Sequence, residues 1–230
     1  MTAAGWWLLR HAPILGLPGR FAGRSDRPVG AIPSDQARML VERIGQIDVA
    51  VVTPLRRTRE TLAGLQAAGL EVPALMVEPG LMEQDFGEWE EQAYDQLAER
   101  DPGYWPFWDD PFHACPPGGE SAAMLAERAL AAWRRLDREL AGKTLLHVGH
   151  AGPIRALLTW AEGAAARDAL ARSVAPLSLA RLTGGDWGKP APAPLVASLG
   201  DVVGSQPPRP RNPSGPAGPS PRAEAGSKQT

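Results

Sequence analysis

The feature that most constrains the fold of this chain is a recurring alternation. Short apolar runs, each closed by a polar or titratable residue, are followed by segments with helical periodicity. The runs are GWWLLRH (residues 5–11), IDVAVVTP (47–54) and KTLLHVGHAG (143–152). The helical segments are SDQARMLVERIG (34–45), TRETLAGLQAAG (58–69) and PIRALLTWAEG (153–163). Ser34 is read as the cap of the first, and Pro153 opens the last, since proline suits an early helical position. The clearest helix is GESAAMLAERALAAWRRLDREL (119–140), where Ala122, Leu125, Ala129, Trp133, Leu136 and Leu140 recur at spacings of three and four. VPALMVE (72–78) and LSLARLTGG (177–185) are further strand candidates. This alternation predicts an α/β fold, a three-layer α/β/α sandwich around a largely parallel central sheet.

With 230 residues the chain can bury a substantial core. A net charge of -2 gives no support for a nucleic-acid binder held by a broad basic surface. No window approaches a membrane-spanning run of apolar residues. Arg10 and His11 interrupt WWLL too early for an export signal, and the single cysteine, Cys115, cannot form a disulfide within the chain or a thiolate metal site. Cytoplasm is therefore the expected location. From Ser205 onward the chain is rich in Pro, Gly and Ser and almost free of large apolar groups, too little to offset its ordering entropy. A folded domain over 1–204 and a disordered tail over 205–230 are expected. GKPAPAP (188–194) reads as a loop before a last strand, LVASLGDVV (195–203). The tail's arginines and prolines could engage a partner, and oligomeric state is not readable.

In open α/β sheets, ligands gather at the carboxyl ends of strands. Two strands here end at histidines, His11 and His150, and a third ends in TPLRRTRET (53–61) just before a helix. Residues 101–119, DPGYWPFWDDPFHACPPGG, show neither helix nor strand pattern. Their aromatics and prolines suggest an ordered loop that forms a flap or one wall of a pocket.

LLRHAP, TPLRRTRET, EQDFGEWE, PPGGES and VGHAGPIR, in this order over roughly residues 5–185, together resemble the histidine phosphatase superfamily, also called phosphoglycerate-mutase-like. The resemblance implies a three-layer α/β/α protein working through a phosphohistidine. It implies that His11 is the nucleophile, Arg10 and Arg57 phosphate ligands, Glu83 the proton donor and acceptor, and His150 a second phosphate-binding histidine. Arg56 takes the variable place beside Arg57 and is expected to be exposed.

The chemistry supports those roles. An imidazole attacking phosphorus must be unprotonated on the attacking nitrogen, with its other nitrogen donating to a backbone carbonyl that fixes the tautomer. Guanidinium forks match phosphate oxygens better than lysine does, and a protonated His150 would add charge. Such contacts stabilise a transferring phosphoryl group without a metal or cofactor. A protonated carboxyl at Glu83 would donate to the leaving oxygen, and the carboxylate would then activate water. Glu78, Glu88 and Glu90 lie nearby, and the family pattern selects Glu83.

Other residues have competing readings. His147 and His150, three apart on a regular strand, face opposite sides, and no acidic partner sits at ligand spacing, so no metal site is expected. His113 either touches substrate or packs within its loop. Ser121 either helps bind an anion or caps the long helix, as Glu120 and Ser121 open it. Arg20 or Arg24 could meet a distal substrate group. Cys115 lacks an activating motif. Two departures from the family pattern stand out: Ala12 follows the nucleophile pair where glycine is common, and Leu17 occupies a place that mutase-like members give to a polar residue. The expected function is hydrolysis of a small phosphomonoester, with α-ribazole 5'-phosphate of cobalamin synthesis as the narrower candidate. The alternatives are a phosphoglycerate-type mutase and a non-catalytic phosphate-binding or regulatory module.

Overall fold

The computed structural model describes residues 4–182. The expected last strand at 195–203, the loop before it and the tail from Ser205 lie outside the described residues. Five strands form one sheet in the order β3-β2-β4-β1-β5: β1 (Gly5–Arg10), β2 (Val49–Val52), β3 (Leu75–Val77), β4 (Thr144–Gly149) and β5 (Leu179–Leu182). The first four are mutually parallel where they pair, and β5 runs antiparallel to β1. This is the largely parallel sheet that the alternating pattern predicts.

Side chains alternate across a strand, and that sorts the core into two layers. Trp7 and Leu9 of β1, Ala50 and Val52 of β2, and Leu146 and Val148 of β4 face one side. There they pack against Leu40 and Ile44 of α1 (Ser34–Ile44) and Leu62 and Leu65 of α2 (Arg56–Ala67). Trp6, Leu8, Val49, Val51 and Leu145 face the other side. They meet Ala129, Trp133 and Leu136 of α5 (Ala122–Glu139) and Ile154 and Leu157 of α6 (Ala151–Ala161). Both faces are covered, as a parallel sheet requires. Each fully buried Leu or Val contributes roughly 1.5–3 kcal/mol.

Residues 101–119, expected as an ordered loop, contain a short helix that follows another just before them. Two short helices, α3 (Tyr94–Arg100) and α4 (Tyr104–Asp109), fold beside the sheet. Phe21, Trp89, Leu97, Tyr104 and Phe107 form a separate aromatic core under them. Trp89 Nε1 donates to Asp101 Oδ2 at 2.6 Å and ties the unit together. Aromatics at 104, 105, 107 and 108 follow no clean amphipathic period because both sides of α4 are packed, and this hid the helix.

Helix starts also differ from expectation. Pro33, at φ -53° and ψ 135°, enters α1, so Ser34 is the first helical residue and makes no side-chain cap. α2 begins at Arg56, two residues early, because the Thr58 hydroxyl bonds the carbonyls of Thr53 and Leu55 and stabilises the first turn. α6 begins at Ala151 and carries Pro153 in its first turn, where the N–H groups have no intrahelical partner.

Candidate active site

The sheet register explains why distant histidines meet. Arg10 and Gly149 are paired at the ends of the adjacent parallel strands β1 and β4, so the next residues, His11 and His150, emerge side by side. Their ring centroids lie 5.3 Å apart, edge to face. β2 flanks β4 on its other side and delivers Thr53 and then Arg57 at the start of α2. The three carboxyl ends converge on a cavity of about 350 Å³ lined by Arg10, His11, Arg57 and Glu83 among others.

His11 is 2 % exposed. Its Nδ1 lies 2.7 Å from the Ala12 carbonyl oxygen. A carbonyl only accepts, so Nδ1 carries the proton in the neutral ring and Nε2 keeps its lone pair. Burial, with Arg10 and Arg57 adding like charge, lowers the His11 pKa from 6.5 to about 3. The imidazole is therefore neutral at pH 7 and in the tautomer needed for attack through Nε2. Ala12, where the family commonly has glycine, does not have a positive φ. It is buried in the core, and its N–H donates to Thr61 Oγ1 at 2.9 Å. The extra methyl is therefore accommodated.

Arg57 is 1 % exposed. Nη1 donates to Ser25 O at 2.7 Å, Nη2 to Gly23 O at 2.5 Å, and Nε to His150 Nδ1 at 3.2 Å. Burial lowers its pKa, and the carboxylates of Glu83, Glu90 and Asp26 oppose that. Arg56 is exposed and pairs with Glu60, as expected for the variable place. Arg10 lines the cavity, with Nη1 on Val174 O.

The bonding of His150 differs from the expectation. Since an arginine Nε can only donate, His150 Nδ1 accepts, and Nε2 bears the proton toward Thr53 Oγ1 at 2.9 Å. Burial, with Arg57 and His11 adding like charge, pushes its pKa well below 6.5. The ring is thus neutral rather than protonated. Both its nitrogens are engaged by protein, and it sits behind Arg57 rather than on the cavity wall.

Among the four glutamates near the 79–90 turns, Glu83 is the one on the cavity wall. Its Oε1 accepts from Gly152 N and from Gln84 N, each at 3.1 Å. The carboxylate thus sits over the first turn of α6, where the helix dipole favours negative charge. A Cβ at Gly152 would overlap Glu83 Oε1, which gives the glycine of HAG a steric reason. Glu78 instead pairs with Arg135, and Glu90 binds the loop at Arg24 and Ser25.

Three expected substrate contacts lie elsewhere. His113 is exposed, held to Asp110 Oδ2 at 3.0 Å by the turn that joins them, and lies off the cavity wall. Arg24 pairs with Asp85 at 3.0 Å and bonds Glu120. Ser121 caps α5, accepting from Met124 N at 3.2 Å. Arg20 does line the cavity.

Arg155 was missed in the sequence. It lines the cavity from α6 beside Glu83. Among the described residues its guanidinium forms no hydrogen bond or ion pair, and its Nε is buried without a partner. It is the last residue of VGHAGPIR, three after Gly152, a spacing that puts it on the same helix face. The cavity lining also holds the aromatics Phe21, Phe86, Tyr94, Phe107, Trp108 and Phe112.

His147 points away from the site, as a three-residue offset requires. Its Nδ1 meets Val51 O at 3.2 Å, and its ring packs edge-on against Trp133. A Cβ at Gly149 would overlap that ring. Among the described residues no cluster of His, Cys, Asp or Glu could hold a metal ion, and no helix is long and apolar enough to cross a membrane.

Comparison with known proteins bears on this arrangement. The family model for the histidine phosphatase superfamily (branch 1) matches residues 6–190. A bifunctional protein of Mycobacterium tuberculosis is 34% identical over 156 residues, 66% of this chain and 42% of that protein. The chain therefore spans less than half the length of that curated relative. The adenosylcobalamin/α-ribazole phosphatase of Escherichia coli is 27% identical over 66% of this chain and 76% of its own length. A crystallised Escherichia coli protein assigned as an α-ribazole-5'-P phosphatase superposes with a TM-score of 0.69 at 26% identity, covering 78% of this chain and 89% of that one.

Proposed function

Because the chain belongs to the histidine phosphatase superfamily, we propose that it hydrolyses a small phosphomonoester through a phosphohistidine at His11, without a metal. The observation that carries this reading is the fixed tautomer of His11. Its Nδ1 proton is committed to Ala12 O, so the Nε2 lone pair is available on a ring that lines the cavity between Arg10 and Arg57.

In the first step the Nε2–P bond forms as the P–O ester bond breaks. Glu83, in its protonated form, gives its proton to the departing alkoxide. Arg10 and Arg57 hold the equatorial oxygens, and Arg155 adds a third cation near the leaving oxygen. His150 acts by holding Arg57. It reaches a phosphate oxygen itself only by exchanging its bond to Thr53. In the second step the Glu83 carboxylate takes a proton from water, which attacks phosphorus. The N–P bond breaks, and free His11 and inorganic phosphate result.

The aromatic lining favours a leaving group with an apolar or aromatic face. With the α-ribazole phosphatases among the relatives, this makes α-ribazole 5'-phosphate the narrower candidate, acting in the cytoplasm.

The test is phosphate release in the presence of EDTA from a panel of α-ribazole 5'-phosphate, sugar phosphates, phosphoglycerates and nucleotides. Wild-type enzyme releases phosphate and carries label on His11. His11→Ala retains the fold and loses both. Equal turnover by His11→Ala overturns the nucleophile assignment. Interconversion of phosphoglycerates without phosphate release overturns hydrolysis.

A further inference from the structure

Glu83 hangs on a segment with little structure of its own, between a single helical turn at Pro79–Leu81 and another at Gly87–Trp89. Its position is set from α5. Arg128 Nη1 donates to two carbonyls, Gly80 O at 3.0 Å and Met82 O at 2.8 Å. Nη2 donates to Glu83 O at 2.9 Å. Nε donates to Glu120 Oε2 at 2.9 Å, and Nη2 also reaches Glu120 Oε1.

Glu120 holds the other side of the same segment. Its Oε1 accepts from Asp85 N at 3.0 Å. Its backbone carbonyl accepts from Gln84 Nε2 and its N–H donates to Asp85 O, each at 2.9 Å. One guanidinium–carboxylate pair thus pins the main chain before, at and after Glu83. Glu120 is 7 % exposed and Arg128 is half-buried, so the carboxylate end of the pair lies where an unmade hydrogen bond is costly.

We propose that Arg128, oriented by Glu120, is a positioning residue for proton transfer by Glu83. This rests on the proton-transfer reading of Glu83 above. The physical reason is that three backbone carbonyls and a carboxylate must be satisfied at once by donors in one plane. Guanidinium has such a fork and an ammonium does not. Loosening the clamp lets the carboxyl drift from the leaving oxygen. It leaves Arg10, His11 and Arg57 in place, because these are carried by β1 and α2.

The experiment compares wild type, Arg128→Lys, Arg128→Ala, Glu120→Gln and Glu83→Gln. The substrates are p-nitrophenyl phosphate, whose leaving group needs no proton, and glycerol 2-phosphate, whose alkoxide does. In Arg128→Lys, kcat for glycerol 2-phosphate falls about 100-fold with KM within about threefold, as a small misplacement of a catalytic group produces. With p-nitrophenyl phosphate, phosphorylation of His11 proceeds at nearly the wild-type rate. Water activation is slowed, so a burst of p-nitrophenol appears and phosphorylated enzyme accumulates. Added guanidinium restores part of the loss in Arg128→Ala, and Glu120→Gln shows a weaker form of the same pattern.

Equal losses on both substrates with no burst would mean that Arg128 merely supports the fold, and would overturn the proposal. So would unchanged kinetics in Arg128→Lys. Glu83→Gln separates the two levels. If it shows the leaving-group dependence and the Arg128 variants do not, positioning fails alone. If it shows none, the role of Glu83 fails and positioning with it. Thermal melts identify any variant that has lost its fold, and Arg128→Lys and Glu120→Gln then carry the test in place of Arg128→Ala.

Discussion

Arg57 Nε donates to His150 Nδ1 across 3.2 Å. That bond fixes the His150 tautomer and holds the guanidinium edge toward the cavity. It also makes the two residues a unit, with His150 in the conformation that its bond to Thr53 completes.

Arg57→Lys should therefore lose more than a charge contact. A lysine cannot serve Ser25 O, Gly23 O and His150 Nδ1 together. We expect kcat/KM to fall about 100-fold or more, in line with the loss of one preorganised donor to a developing oxyanion. The loss should be the same for p-nitrophenyl and alkyl phosphates, because both present the same phosphoryl group. The inhibition constant for inorganic phosphate should rise in parallel. A loss confined to poor leaving groups would contradict the phosphate-binding role.

Gly152→Ala should behave in the opposite way. The new methyl overlaps Glu83 Oε1 and comes within 2.9 Å of Leu125 Cδ1. The carboxylate is the mobile partner and moves. Turnover of alkyl phosphates should drop about 100-fold, whereas with p-nitrophenyl phosphate the first-turnover release of p-nitrophenol should be much less affected and be followed by slow hydrolysis of the phosphorylated enzyme. Replacing glycine by alanine inside a helix is worth about 1 kcal/mol, which offsets the crowding, so the melting temperature should change little. Equal turnover of alkyl phosphates by the variant would show that Glu83 tolerates displacement.

Acid stability should follow the buried histidines. Burial lowers the His147 pKa from 6.5 to about 4, its bond to Val51 O opposing the shift. The unfolded chain therefore binds a proton at this residue between pH 6.5 and 4 that the folded chain does not. Stability due to His147 is complete above about 6.5 and is lost as pH falls toward 4. The slope is at most about 1.4 kcal/mol per pH unit for each such group. His11, at about 3, and His150, held well below 6.5 by burial, add to the decline as pH falls below 6.5. Urea unfolding at several pH values should show the decline, and a folded His147→Gln variant should show a shallower one. An identical slope would remove His147 from the account.

Much of the site could be read along the chain because its parts sit at ends of elements with clear signatures. Strand alternation located Arg10, His11 and His150, and the motif around Arg57 lay where a strand yields to a helix. Arg155 was not legible because an arginine on an amphipathic helix looks like a solvated face until the cavity beside it is known. Arg128 was not legible for the same reason, yet it bonds three carbonyls and Glu120. His113, Ser121 and Arg24 carried suitable chemistry at plausible places, and local turns, a helix cap and an ion pair took their polar groups instead.

By itself, the order of apolar runs and helical segments determined the layered sheet and the residues at its carboxyl edge. These are consequences of side-chain period and of what each strand must bury. Only the tertiary structure decided the protonation and direction of those residues. A histidine's tautomer depends on whether an arginine donor or a backbone carbonyl stands opposite each nitrogen. For His11 that partner is the carbonyl of the next residue, Ala12, whereas the partners of His150, Thr53 and Arg57, were brought alongside by a strand register that no local segment encodes.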